Sequence, residues 1–262
     1  MISYLVSLLL GYFAVSAQVF DYNKAYQDYL FSYSIYQQAH SEYDLARSQY
    51  LASGTIASEQ KAQGATAKML IERDSATIAY LTALRMKLRE NPGVVNTTRE
   101  NLFSLIDNEI SLYNLHKAKV ASAGSLEDLV EDSAEAAAQF QQTELLIYQV
   151  LTNISVGHTS SFRVREKDII TTLRTKITEI KTAGDKKVDS VERALTEADD
   201  KLSRSVEKEQ EALALIAKLK TNNKDKLGVF NDTQRSMSES LSYIKEANSI
   251  VKDALRQIKT ND

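Results

Sequence analysis

The chain has 262 residues, 43% hydrophobic and 26% charged, with enough apolar side chains for one or two cores. One proline and eight glycines supply too few turns for an all-β or α/β fold, and the absence of cysteine excludes disulfides, thiolate metal sites and a thiol nucleophile. The net charge is -3 and basic residues alternate with acidic ones, the wrong pattern for a nucleic-acid-binding face.

Residues 2–17, ISYLVSLLLGYFAVSA, carry no charge and end in Val15-Ser16-Ala17, a small-residue pattern that signal peptidase accepts. Sixteen residues are short for a span, which needs about 20. The expectation is a cleaved leader at 1–17, with Gln18 as mature start. No Lys or Arg precedes the apolar run, so an uncleaved anchor and a buried first helix stay open. The exported chain is expected to meet a membrane only through this segment.

Helices separated by short breaks follow. The first is predicted from Phe20 to Leu51, stopping at Ser53-Gly54-Thr55, and the second from Ser58 to Glu90. Asn91-Pro92-Gly93 is the strongest breaker in the chain, because Pro92 removes a donor and disfavours helical geometry in Asn91. These two helices form a tyrosine-rich antiparallel hairpin, residues 18–92. A third helix opens at Thr97-Thr98-Arg99-Glu100, which has the form of a capping box, and fades at Ser122-Ala123-Gly124. A second cap, Ser125-Leu126-Glu127-Asp128, starts a fourth helix that Gly157 closes, completing a helical pair over residues 93–157.

The fourth helix places Leu126, Val130, Ser133, Ala137, Phe140, Glu144, Ile147, Leu151 and Ile154 in alternating steps of four and three. That 3.5-residue average marks helices packed side by side. From Ser160 to Lys220 the rhythm continues through four-four stutters at Gly184 and at Leu202–Val206. It predicts one helix of about 90 Å with a hinge at Gly184. Gly228 turns the chain into a last helix, Phe230–Lys259, seamed by Leu241, Ile244, Asn248, Val251 and Leu255. The long helix and the last one make up residues 158–262. The expected fold is all-α, an elongated antiparallel bundle with one very long helix in the carboxyl-terminal half.

Tyr22, Tyr26, Tyr29, Tyr33, Tyr36, Tyr43 and Tyr50 fall on one face of the first helix, with His40 and Arg47 filling the two missing steps. Ala25, Ser32, Ala39 and Ala46 run beside them, so a neighbouring helix can approach while phenol oxygens reach a polar rim. The row reads as a packing seam or as an exposed aromatic strip for a glycan, a membrane interface or a protein. The segments DYNKAYQDYLFSY, YLASGT and YLTALRMKL, between Asp21 and Leu88, resemble uncharacterised exported helical proteins of candidate-phyla-radiation bacteria. The resemblance covers about a quarter of the chain, implies a bacterial envelope setting, and carries over no site residue.

Catalytic signatures are missing. His40, His116 and His158 lie on different elements, none within Glu-x-x-His or His-Glu-x-x-His. No phosphate-binding glycine loop or Gly-x-Ser-x-Gly elbow occurs. Glu109, Glu144 and Glu209 fall on apolar faces, where carboxylates set register in polar layers or line rims. No catalytic residue, cofactor, metal or small-molecule substrate is therefore expected. The expected role is a non-enzymatic structural or interaction protein of the envelope or extracellular space, binding a protein partner or copies of itself. A helical component of a secretion or efflux assembly is the alternative, and an α-helical pore-forming toxin a more remote one.

Overall fold

The structure, a computed structural model, describes residues 21–183 and 188–260. The expected leader and the expected hinge at Gly184 lie outside these. Among the described residues there are six helices and no strand: α1 (Tyr22–Ser53), α2 (Ile56–Arg89), α3 (Asn96–Ala121), α4 (Leu126–Ala183), α5 (Asp189–Ala217) and α6 (Lys226–Thr260). The chain is the all-α, antiparallel bundle its periodicity predicts.

α1 and α2 form the expected hairpin. Asp21 caps α1 through a bond from the Lys24 amide, and Gly54 closes it in the left-handed region at φ 58°, where a side chain would be strained. Thr55 and Ser58 then build a reciprocal capping box for α2. The box expected at Thr97 does not form. α3 starts one residue earlier behind Val95, which has no side chain that can accept a bond. The expected cap at Ser125 does form, with Ser125 Oγ and Asp128 Oδ2 each accepting the other's backbone N–H at 3.1 and 2.9 Å.

α4 holds the molecule together. It is 58 residues long, roughly 87 Å, so the very long helix exists, but over 126–183 rather than Ser160–Lys220. Gly157 does not end a helix, and the division drawn at residue 157 falls inside α4. Its lack of a side chain serves packing instead: Asn91 and Val94 press on it, and Asn91 Nδ2 donates to the Ile154 carbonyl at 2.7 Å. α5 then packs antiparallel to α4. Lys181 pairs with Glu192 and Arg174 with Asp199, at 2.6 and 2.7 Å, the descending register of an antiparallel hairpin rather than one continued rod.

Two bundles share α4. Its first half packs with α2 and α3 around Leu81, Leu88, Ile106 and Val150, while α1 lies on the outside of α2. Its second half packs with α5 and α6 around Ile170, Ile177, Leu195 and Val251. α6 runs parallel to α4, Phe230 stacking on Tyr148 at 4.5 Å. In α5 the stutter expected at Val206 is unnecessary, because buried Ser205 takes the regular step and bonds Ser240 Oγ at 2.9 Å.

The α4 seam also differs from expectation. The buried row is Leu129, Asp132, Ala136, Thr143, Leu146 and Val150, one position away from the predicted one. Val130 and Phe140, predicted as seam, are 62% and 45% exposed. Two polar residues occupy the true seam because partners satisfy them: Lys119 pairs with Asp132 at 2.8 Å, and Thr143 Oγ1 donates to Glu109 Oε2 at 2.8 Å.

Candidate interaction site: a tyrosine-lined groove

α1 and α4 both pack on α2 but not on each other, which leaves a groove of about 560 Å³ between them. Tyr29, Tyr33 and Tyr36 of α1, with Tyr80 of α2, form one wall, and Phe140 and Ile147 of α4 form the other. Ala76, Thr77, Ala136 and Ala137 keep the floor low, Tyr113 of α3 closes it, and Arg73 and Gln141 supply polar edges.

The tyrosine row is continuous along this wall. Ring centroids from Tyr22 through Tyr26, Tyr29, Tyr33, Tyr36 and His40 to Tyr43 lie 5.7–6.1 Å apart in sequence order. Tyr29 also meets Tyr80 at 5.0 Å, the spacing at which tilted aromatic pairs attract. Lys87 Nζ sits 4.4 Å from the Tyr22 ring centroid, a cation–π contact at the foot of the row.

The row is neither a buried seam nor a free strip. Buried Ala25, Ala39 and Ala46 provide the α1–α2 seam. Tyr22, Tyr29, Tyr36, Tyr43 and Tyr50 are half-buried beside it, whereas Tyr26 and Tyr33 are exposed, Tyr33 to 41%. Burial, then the neighbouring phenols, raises the Tyr29 and Tyr80 hydroxyls above the usual tyrosine range. Burial raises Tyr113 likewise. Tyr148 is pushed up to about 12 by burial and by its bond to the Glu144 carboxylate.

Behind the floor lies a charge cluster that sequence reasoning missed. Asp74 of α2 is fully buried, with one carboxylate oxygen 2.5 Å from His116 Nδ1 and the other 3.3 Å from Arg73 Nη2. His116 Nε2 lies 2.9 Å from the Asp132 carbonyl, which can only accept, so Nε2 carries a hydrogen. Both ring nitrogens are thus committed to holding α2, α3 and α4 together, and the imidazole has no nitrogen left for a substrate. Asp74 sits on the apolar stripe of Leu70 and Leu81, which was the available signal; its pairing with a residue 42 positions away was not.

The three glutamates on apolar faces sit in polar layers or at rims. Glu109 accepts from Gln139 and Thr143, Glu144 from Tyr148 and Lys226, and Glu209 from Arg163 and Ser240. His40 belongs to the tyrosine ladder, and the His158 ring lies edge-on to Phe162. Among the described residues, no group of three or more His, Asp or Glu is placed to hold a metal ion, and no helix is long and apolar enough to cross a membrane. Comparison with protein-family models, with curated proteins and with solved structures finds no match to this chain.

Proposed function

We propose that this protein is a non-enzymatic structural or interaction protein of the cell envelope or extracellular space, an elongated helical scaffold that self-associates. The observation that carries the reading is the groove: among the described helices α1 packs on α2 alone, and it leaves Tyr26, Leu30 and Tyr33 exposed along its open side. Aromatic rings that half-satisfy one another and present their faces outward are typical of protein contact surfaces. The uncharged residues 2–17 support export. Small-angle scattering with light scattering tests this: extended particles heavier than one chain are expected, and a compact monomer at every concentration would refute it.

One observation favours a component of a secretion or efflux assembly as the second reading. The tip of the α1–α2 hairpin carries Leu51 and Ile56, both well exposed, which suits end-on docking. Loss of partner capture from envelope extracts on Ile56→Glu would support it.

A further inference from the structure

The chain has 13 tyrosines and neither tryptophan nor cysteine. A one-electron oxidant takes its electron most readily from an indole, a thiolate or a phenol, and of these only phenols are present. Methionine reacts instead by gaining an oxygen atom, and Met69 and Met237 are buried.

The tyrosine row arranges the phenols as a relay. Tyr26 and Tyr33 are 36% and 41% exposed, and half-buried Tyr29 lies between them, its ring centroid 5.9 Å from each. An electron removed from either surface ring can be replaced from Tyr29 across one such step. Tyr29 in turn meets half-buried Tyr80 of α2 at 5.0 Å, closer than any successive pair along the row, with the ring planes tilted by 53°. The hydroxyl ends lie near one another as well. Burial raises the Tyr80 phenol above its usual range, and the phenols of Tyr29, Tyr22 and Tyr26 raise it further, Tyr29 most. Phenoxyl radicals couple through the ring carbons ortho to oxygen, and those carbons flank the hydroxyl.

We infer that Tyr29 and Tyr80 form an oxidative cross-linking site, at which a haem peroxidase acting with hydrogen peroxide converts the pair into dityrosine and ties α1 covalently to α2. Each phenol loses one electron to the oxidant, by way of Tyr26 or Tyr33, and its hydroxyl proton to water in the groove. One carbon–carbon bond then forms between the two ortho carbons. The hydrogen on each of those carbons leaves as a proton, and a proton returns to each oxygen, restoring both hydroxyls. One hydrogen peroxide takes up the two electrons and the two remaining protons and becomes two waters.

The bond falls where α1 is held to the molecule, since among the described helices α1 packs on α2 alone. It closes the loop that runs out along α1 and back along α2, restricting the unfolded chain as a disulfide does. It does not depend on self-association, because it forms within one molecule.

Treating the dilute full chain with a haem peroxidase and hydrogen peroxide tests this. Dityrosine fluorescence should appear while the product stays monomeric on a denaturing gel. Peptide mapping should find one principal linked species, joining the Tyr29 and Tyr80 peptides and two hydrogens lighter than their sum. The oxidised chain should melt at a higher temperature than the untreated one. Tyr29→Phe and Tyr80→Phe keep the rings and so the packing, and each should abolish that species. Tyr26→Phe combined with Tyr33→Phe should slow its formation severalfold, since the half-buried pair then loses its surface relays. Links spread over other tyrosines such as Tyr50 and Tyr243, links only between molecules, or an equal yield from the urea-unfolded chain would overturn the site. An undiminished rate in the double variant would overturn the relay, and an unchanged melting midpoint the covalent clasp.

Discussion

Gly93 and Gly157 meet backbone to backbone: a Cβ on Gly93 would lie 1.9 Å from the Gly157 carbonyl oxygen, and one on Gly157 would lie 2.6 Å from Val94 Cγ2. The α2–α3 turn docks there on the middle of α4. Gly93→Ala and Gly157→Ala should each destabilise by about 2 kcal/mol in chemical denaturation, because an added methyl drives into the Gly157 backbone in the first case and into the short, buried Asn91 and Val94 side chains in the second. Gly64, exposed inside α2 with nothing within 4 Å of an added Cβ, should behave oppositely: Gly64→Ala should stabilise by about 0.5–1 kcal/mol.

The charge cluster behind the groove floor predicts an asymmetry between ion pairs. His116→Ala leaves the fully buried Asp74 carboxylate with only Arg73 and should cost about 3 kcal/mol. Lys68→Ala, which removes a surface pair with Glu42, should barely move the melting midpoint. Similar midpoints for both variants would refute a structural role for His116.

In the α4–α5–α6 bundle, buried Glu209 is held by Arg163 and Ser240. Arg163→Met alone strands the carboxylate and should cost about 3 kcal/mol. Combining it with Glu209→Leu should recover stability to within about 1 kcal/mol of the parent, because apolar residues of similar volume replace a pair that gains little net energy.

Within the tyrosine row, burial divides structure from recognition. Tyr29→Ser removes a half-buried ring from Tyr80 and should cost about 1–2 kcal/mol. Tyr33→Ser, at an exposed position, should change stability by no more than about 0.5 kcal/mol. Equal losses from both would make the row a seam after all.

Stability should fall as pH rises from about 10 toward 12. The Tyr148 hydroxyl ionises near 10.0 in the unfolded chain but only at about 12 in the fold. Between those values the folded state holds a proton that the unfolded state has lost, so raising pH favours unfolding. Tyr29, Tyr80 and Tyr113 shift in the same direction. The raised Lys119 and Lys208 ammonium groups, bonded to their carboxylate partners, add to the loss. Tyr148→Phe should soften the alkaline decline in thermal midpoint, and an unchanged profile would sink this account.

The helical class is legible from the 3.5-residue spacing, and so is the cap at Ser125, whereas the box expected at Thr97 does not form and the caps at Asp21 and Thr55 are ones the sequence reading misses. What escapes a one-dimensional reading is which of two adjacent faces an amphipathic helix buries. In α4 the apolar row Val130–Ala137–Phe140 looks like the seam, yet Asp132 and Thr143 lie inside because Lys119 and Glu109 wait on the neighbouring helix. Gly157 shows the same limit, since helix termination and close packing both call for the smallest residue. That α5 lies antiparallel to α4 rather than in line with it is hidden because the two helices keep the same apolar rhythm. The tyrosine row is visible at once, but whether it faces a neighbour or a void depends on α4, more than a hundred residues away.

The absence of any break in α4 between Asn91's docking point and the α5 contacts has a mechanical consequence. A force applied at one end reaches the other through a single hydrogen-bonded rod, with no intervening linker to absorb it. Cutting the chain near residue 157 should therefore not release two independent folding units, since each fragment would keep only half of the helix on which its own core was built.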